Sequence, residues 1–255
     1  MIPSEKSSLP SAARLSGQRA VITGAARGIG AEIARTYARE GATVFILDLD
    51  LELAQQVARS IGGLAAQVDL ADATATAASL ATAIAMLGGI DILVNNAGIL
   101  NMAPLLDITV ENWDTTFAVN TRAMFVTTQV AGRAMVAQGG GTIVNMASMG
   151  GKIGTANQAH YAASKAAVIA LTRVAAIELG PHNIRVNCIC PGYVLTDMGT
   201  ATRTPEMVEA WAAKSPLARL ATTTDVANMA LFLASAESTY CTGQAMNVSG
   251  GMVMH

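Results

Sequence analysis

Seven short apolar runs alternate with longer helical patterns, and this alternation constrains the fold more than any single motif. The runs RAVIT (19–23), TVFIL (43–47), LAAQV (64–68), IDILV (90–94), GTIVNM (141–146), IRVNCI (184–189) and QAMNV (244–248) have the length and composition of strands. Several are apolar throughout, the pattern of a strand covered on both faces. Helical spacing predicts helices near 28–40, 50–61, 72–87, 109–137, 158–180 and 223–235. Strand–helix–strand repetition brings successive strands back in the same direction. The expectation is therefore a mostly or wholly parallel seven-stranded sheet with helices on both faces. No Pro-rich linker or internal repeat divides the chain. Residues 16–255 read as one doubly wound α/β domain, preceded by a flexible extension over 1–15.

Composition narrows the class. Apolar residues make up 52% of the 255 and charged residues 13%, which excludes a disordered chain and allows a large core. A net charge of −2 gives neither a basic nucleic-acid footprint nor a match to an anionic membrane surface. Mean hydropathy is +0.41, yet the longest uncharged stretch, between Asp72 and Asp91, is rich in Ala and Thr. Leu80, Ile84 and Leu87 form a helical stripe there, so no membrane span is expected. The start, MIPSEKSSLPSAARL, has no apolar core of a signal peptide. The three Cys form no CxxC and the three His are scattered, so the reading is reduced thiols, no metal site and a cytoplasmic protein.

Thr23-Gly24-Ala25-Ala26-Arg27-Gly28-Ile29-Gly30 joins the first strand to the first helix. Glycines there permit a tight turn and close approach to a pyrophosphate, and the helix start favours the anion. The spacing is GxxxGxG, so the GxGxxG fingerprint is not met. Asp48 ends the second strand, where a carboxylate accepts hydrogen bonds from ribose hydroxyls and repels a 2′-phosphate. The rival reading of Asp48 is an N-cap for the next helix. Arg27 favours the phosphate, but Leu49 adds no cation, so NAD(H) is preferred and NADP(H) is the lesser alternative.

TGAARGIG (23–30), NNAG (95–98), Asn120, Ser148, YAASK (161–165) and PG (191–192), in this order and spacing, resemble the short-chain dehydrogenase/reductase family from residue 17 to 251. The resemblance implies a Rossmann fold and NAD(P)-linked oxidoreduction of an alcohol or carbonyl, with no metal in the chemistry. It assigns catalysis to Asn120, Ser148, Tyr161 and Lys165. It adds Asp69 and Leu70 as an adenine contact, Asn96, Ala97 and Gly98 against the cofactor, and Pro191, Gly192, Val194 and Thr196 near the nicotinamide amide. In the family the matching lysine also binds the nicotinamide ribose, and the residue matching Asn120 holds a water linked to it. Ser249 in NVSGG departs from the Asp common in relatives.

The residues support that chemistry independently. Tyr161 and Lys165 are four apart on a predicted helix and share a face. A tyrosine is a poor base near neutrality, and a neighbouring ammonium is expected to lower its pKa. The long irregular segment 192–216 follows a strand's carboxyl end, where a lid is expected. Tyr193, Met198, Met207 and Trp211 are candidates for its apolar wall, and Gly150, Asn157, Gln158 and His160 for the substrate side. The expected activity is NAD-dependent hydride transfer with a secondary alcohol or ketone, on a polyol or sugar. The alternatives are an NADPH-dependent 3-oxoacyl-thioester reductase and a non-catalytic NAD(H)-sensing protein. Apolar Ala123, Val126, Ala166, Ile169 and Ala170 on the two longest helices, together with the resemblance, point to a homotetramer.

Overall fold

Residues 13–196 and 204–255 are described by the structure, a computed structural model. The first half runs β1 (Arg19–Thr23), α1 (Gly28–Arg39), β2 (Thr43–Asp48), α2 (Leu51–Ser60), β3 (Leu64–Gln67), α3 (Ala73–Leu87) and β4 (Ile92–Asn95). The second half runs α4 (Val110–Phe117), α5 (Ala123–Gln138), β5 (Gly141–Met146), α6 (Gly150–Ile153), α7 (Ala159–Leu179), β6 (Ile184–Pro191), α8 (Pro205–Ala212), α9 (Thr223–Ala234) and β7 (Ala245–Val248). All seven strands are parallel, in the order β3-β2-β1-β4-β5-β6-β7.

The unalternating strands are explained by two cores, one on each face. Ala20 and Ile22 of β1 face α1, α2 and α9 through Ile33, Tyr37, Val57 and Val226, whereas Val21 faces α3, α5 and α7 through Leu80, Met135 and Ala175. Leu15, at the end of the expected extension, is 1% exposed and belongs to the first core. Its N–H donates to Glu40 O at 2.9 Å. The chain runs outward from β1 to β3 and then crosses to β4. The crevice beyond the carboxyl ends of β1 and β4 is thus the switch point where open α/β sheets bind ligands.

Three local features differ from the sequence expectation. The single helix expected over 109–137 is interrupted by a π-helical turn at Ala118–Arg122, which carries Asn120. Gly150–Ile153 forms a short helix in a Gly-rich loop where none was expected. Within the proposed lid, α8 is capped by Thr204, whose side chain accepts from Met207 N, with Pro205 in the first turn. That capping signal was present in the sequence. Among the described residues, no helix is long and apolar enough to cross a membrane, and no cluster of His, Cys, Asp and Glu suits a metal.

Candidate functional site

The glycine turn after β1 has the shape an anion cradle needs. Gly24 and Gly28 have φ of +65° and +59°, conformations that L side chains rarely adopt. A Cβ on Gly24 would lie 2.6 Å from Ala97 Cα, and one on Gly30 would lie 2.4 Å from Asn96 Nδ2. Asn96 explains this closeness: its Nδ2 donates to Thr23 O at 3.1 Å and Gly24 O at 2.7 Å, tying the end of β4 to the turn. The start of α1 has no side-chain cap, because exposed Arg27 occupies the N-cap position. Its N-terminal amides and dipole therefore suit a phosphate, and this part of the chain fits a dinucleotide. Ile29 packs against the core beneath the turn. Thr196 approaches from above, its Cγ2 lying 3.7 Å from a Cβ placed on Gly28.

Asp48 is held by two backbone amides, Ala26 N at 2.8 Å and Asp50 N at 3.0 Å. The helix cap is Asp50, which accepts from Leu53 N, so Asp48 is not the cap of α2. Its carboxylate instead joins the end of β2 to the glycine turn. Leu49 is 62% exposed beside it. Asp69 is exposed and accepts from Ala71 N at 2.8 Å, while the Leu70 side chain is buried in the second core.

Ser148, Tyr161 and Lys165 come together at the carboxyl end of β5. Lys165 Nζ donates to Met146 O at 2.8 Å and lies 5.7 Å from the centre of the Tyr161 ring. Burial lowers the Lys165 pKa to about 8. Burial raises the Tyr161 phenol above its ordinary value, and this outweighs the lowering effect of the neighbouring Ser148 hydroxyl. The expectation that the neighbouring ammonium lowers the tyrosine's pKa is corrected here: desolvation dominates, and Tyr161 is a protonated donor at neutral pH. Ser148 Oγ accepts from Gly150 N at 3.0 Å. A Cβ built on Gly150 would lie 3.4 Å from Ser148 Oγ, 3.7 Å from the Tyr161 ring and 3.9 Å from Gln158 Oε1. Gly150 thus leaves open the space on which those three groups converge.

Asn120 is wholly buried. Its Oδ1 accepts from Ile99 N at 2.8 Å, and its Nδ2 donates to Ile99 O at 3.0 Å and Ser164 Oγ at 3.1 Å. It therefore fastens the segment after β4 to α7. A Cβ on Gly98 would lie 3.2 Å from Lys165 Nζ and 3.3 Å from Asn120 Oδ1, so Gly98 opens the other side of the site.

A family model described as enoyl-(acyl carrier protein) reductase matches residues 24–253. The chain is 41% identical over 252 residues to sorbitol dehydrogenase of Cereibacter sphaeroides, covering 93% of this chain and 98% of the relative. It is 39% identical over 247 residues to a 3-oxoacyl-[acyl-carrier-protein] reductase of Thermotoga maritima, covering 94% of this chain and all of the relative. A short-chain type dehydrogenase/reductase from Mycobacterium marinum superposes with a TM-score of 0.89 at 39% identity, over 96% of this chain and 98% of that one. The chain belongs to the short-chain dehydrogenase/reductase family.

Within this short-chain dehydrogenase/reductase, not every expected contact reaches the site. His160 is 0% exposed, and neither ring nitrogen has a hydrogen-bond partner among the described residues. It is enclosed in the fold rather than standing open toward the space beside Gly150. Gln158, on the same short stretch, is the residue beside Tyr161. Asn157 is exposed at φ +63°, and its carbonyl accepts from Ala103 N. Val194 places its side chain in the first core and pairs with Ala221, leaving only its backbone for a ligand. Pro191 is buried, and Gly192 passes so close to Ser249 that a Cβ would lie 3.0 Å from Ser249 Cα. Tyr193 and Trp211 stack with centroids 4.7 Å apart. Met198 lies outside the described residues.

Proposed function

We propose that the chain is an NAD-dependent dehydrogenase acting on a secondary hydroxyl of a small polyol or sugar, reversibly with the ketone. The observation that carries this reading is the convergence of Ser148, Gln158 and Tyr161 on the space left open by Gly150, with Lys165 behind the tyrosine. The dinucleotide is assigned to the glycine turn, Asp48, Asp69, Asn96, Ala97, Gly98, Lys165 and the segment from Pro191 to Thr196. Bound there, it supplies the hydride acceptor or donor.

The chain's own groups move the proton. In ketone reduction Tyr161, held protonated, donates from its hydroxyl to the carbonyl oxygen, while Ser148 Oγ–H steadies that oxygen. Ser148 Oγ is held in place by accepting the Gly150 N–H. In alcohol oxidation the same hydroxyl oxygen of Tyr161 receives the proton, which requires the phenolate; the Lys165 ammonium, 5.7 Å from the ring centre, is the positive charge set against the burial that opposes it. Asn120 fixes the spacing between α7 and the segment after β4.

A neutral, hydroxylated substrate suits the surroundings. The stacked Tyr193 and Trp211 offer an apolar wall, and Gln158 offers an amide to a second hydroxyl. Arg219, on the segment after α8, is committed to Asp225 at 2.7 Å. The polyol name of the Cereibacter sphaeroides relative agrees with this reading. We also infer a homotetramer, supported by an exposed apolar stripe along α7 at Ala166, Ala170, Val174 and Ile177. Ala123 and Ile169 are buried within the chain and lend no support.

The test compares kcat/KM for NAD-linked oxidation of four- to six-carbon polyols with that for NADPH-linked reduction of acetoacetyl thioesters. Polyol oxidation is expected to win. A thioester preference of about tenfold, some 1.4 kcal/mol in transition-state binding, would make the chain an acyl-thioester reductase instead.

A further inference from the structure

The four residues of α6 lie between Ser148 and Tyr161, and little within them fixes where they sit. A helix of one turn is unstable on its own hydrogen bonds, and Gly150 and Gly151 add backbone freedom. Its seat must come from outside contacts, and three are present. Below, Gly150 N donates to Ser148 Oγ at 3.0 Å. On one side Gly151 lies flat on α7, where a Cβ would come within 2.7 Å of the Lys165 carbonyl carbon and 2.8 Å of Ala166 N. The third contact is made by Lys152, which reaches β7 and the segment after it. Its Nζ donates to Ala245 O at 2.9 Å and to His255 O at 2.7 Å.

The segment that receives Lys152 is itself anchored. Asn247 Nδ2 donates to Val253 O at 3.0 Å and His255 O at 3.3 Å. Ser249 Oγ accepts from Val253 N at 3.2 Å, and Val253 is 4% exposed. One ammonium therefore bridges α6, the start of β7 and residues 253–255 by charge-assisted hydrogen bonds, the stronger kind.

We propose that Lys152 is a positioning residue: by tying α6 to residues 253–255, it sets the direction of the Ser148 hydroxyl and the width of the gap between Gly150 and Tyr161. The proposal rests on the reading of Ser148 and Tyr161 as the groups that meet the substrate oxygen. It assigns to the segment after β7 a part in substrate turnover through its bonds to Lys152.

Lys152→Met keeps the aliphatic stem and removes all three donors. A small displacement of a reacting group costs up to about a hundredfold, so kcat/KM for the alcohol is expected to fall between about ten- and a hundredfold. The NADH dissociation constant, read by fluorescence, should stay at the wild-type value, because the two bonds removed go to Ala245 and His255, neither of which is assigned to the dinucleotide. Lys152→Arg, which restores donors, should recover most of the loss. A chain stopped after Val253 keeps the bond to Ala245 O and should lose part of what Lys152→Met loses, and combining the two should add nothing beyond Lys152→Met, which already removes both bonds. Wild-type kcat/KM in Lys152→Met overturns the proposal, as does a loss shared equally by NADH binding. If Lys152→Met does not fold, the chain stopped after Val253 decides by the same two readings. Tyr161→Phe, run alongside, separates the two levels: an active Tyr161→Phe would defeat the reading of the site itself, whatever Lys152 does.

Discussion

Asp48 both holds the glycine turn through Ala26 N and places a negative charge at the end of β2. Asp48→Ser should lower kcat/KM with both cofactors through the first role and narrow the ratio of NAD to NADP use through the second. The ratio measured with each cofactor isolates the charge, and an unchanged ratio would remove Asp48 as the selector. Lys165 yields a prediction about stability. Its pKa falls from 10.5 in the unfolded chain to about 8 in the folded one, because burial disfavours the ammonium. Between those values the unfolded state binds more protons, so unfolding free energy rises with pH. Below pH 8 both states are protonated and the folded protein carries the whole cost, about 3 kcal/mol. Relative to Lys165→Met, the wild type should therefore gain stability from about pH 8 to pH 10 in denaturant titrations. Tyr37 and Tyr161, held protonated by burial, act oppositely above about pH 10 in each protein taken alone, and the comparison with Lys165→Met removes that shared contribution. A difference constant from pH 7 to 10 would contradict the account. At this scale the meeting of Tyr161 with Lys165 and the place of Asp48 at the end of β2 were legible, because spacing and position at element ends carry that information. The burial of His160 was not legible, because a loop's neighbours do not reveal which side chain turns inward.

Between elements, a buried polar chain holds the site's four supports in register. Thr127 Oγ1 of α5 donates to Asn95 Oδ1, Asn95 Nδ2 of β4 donates to Asn145 Oδ1, and Asn145 Nδ2 of β5 donates to Thr172 Oγ1 of α7, at 2.6, 2.9 and 3.0 Å. All four residues are at most 2% exposed. Asn145→Ala strips partners from both neighbours, and buried unpaired groups cost about 1–3 kcal/mol each. The variant should lose about 2–4 kcal/mol in denaturant unfolding, and a cost below about 1 kcal/mol would show that the chain relaxes around the gap. The strands were legible to within a few residues because burial on both faces writes itself as an unbroken apolar run. The interruption at Ala118–Arg122 was not, since one extra residue in a helical turn leaves the apolar pattern on either side intact. The short α6 escaped notice for another reason: its stability comes from contacts distant in sequence.

For the whole molecule, the parallel direction of the strands and the two-sided core followed from the alternation, while assembly is written only in what stays uncovered. Ala166, Ala170, Val174 and Ile177 fall on one exposed face of α7, and Ile177 is 76% exposed. Light scattering at micromolar concentration should return four times the chain mass of 26.1 kDa; a monomer would show that this stripe is left in water. The central claim concerns the assembled site, where a protonated tyrosine beside a buried lysine works with a dinucleotide held at the glycine turn. It is tested most directly by comparing wild type and Tyr161→Phe for NADH formation from a polyol, with NADH binding measured in parallel. The account predicts unchanged NADH binding and a fall in turnover of about 10²- to 10⁴-fold, the usual contribution of a general acid–base group. A Tyr161→Phe protein that keeps more than about half of the wild-type turnover, far above that range, would contradict it.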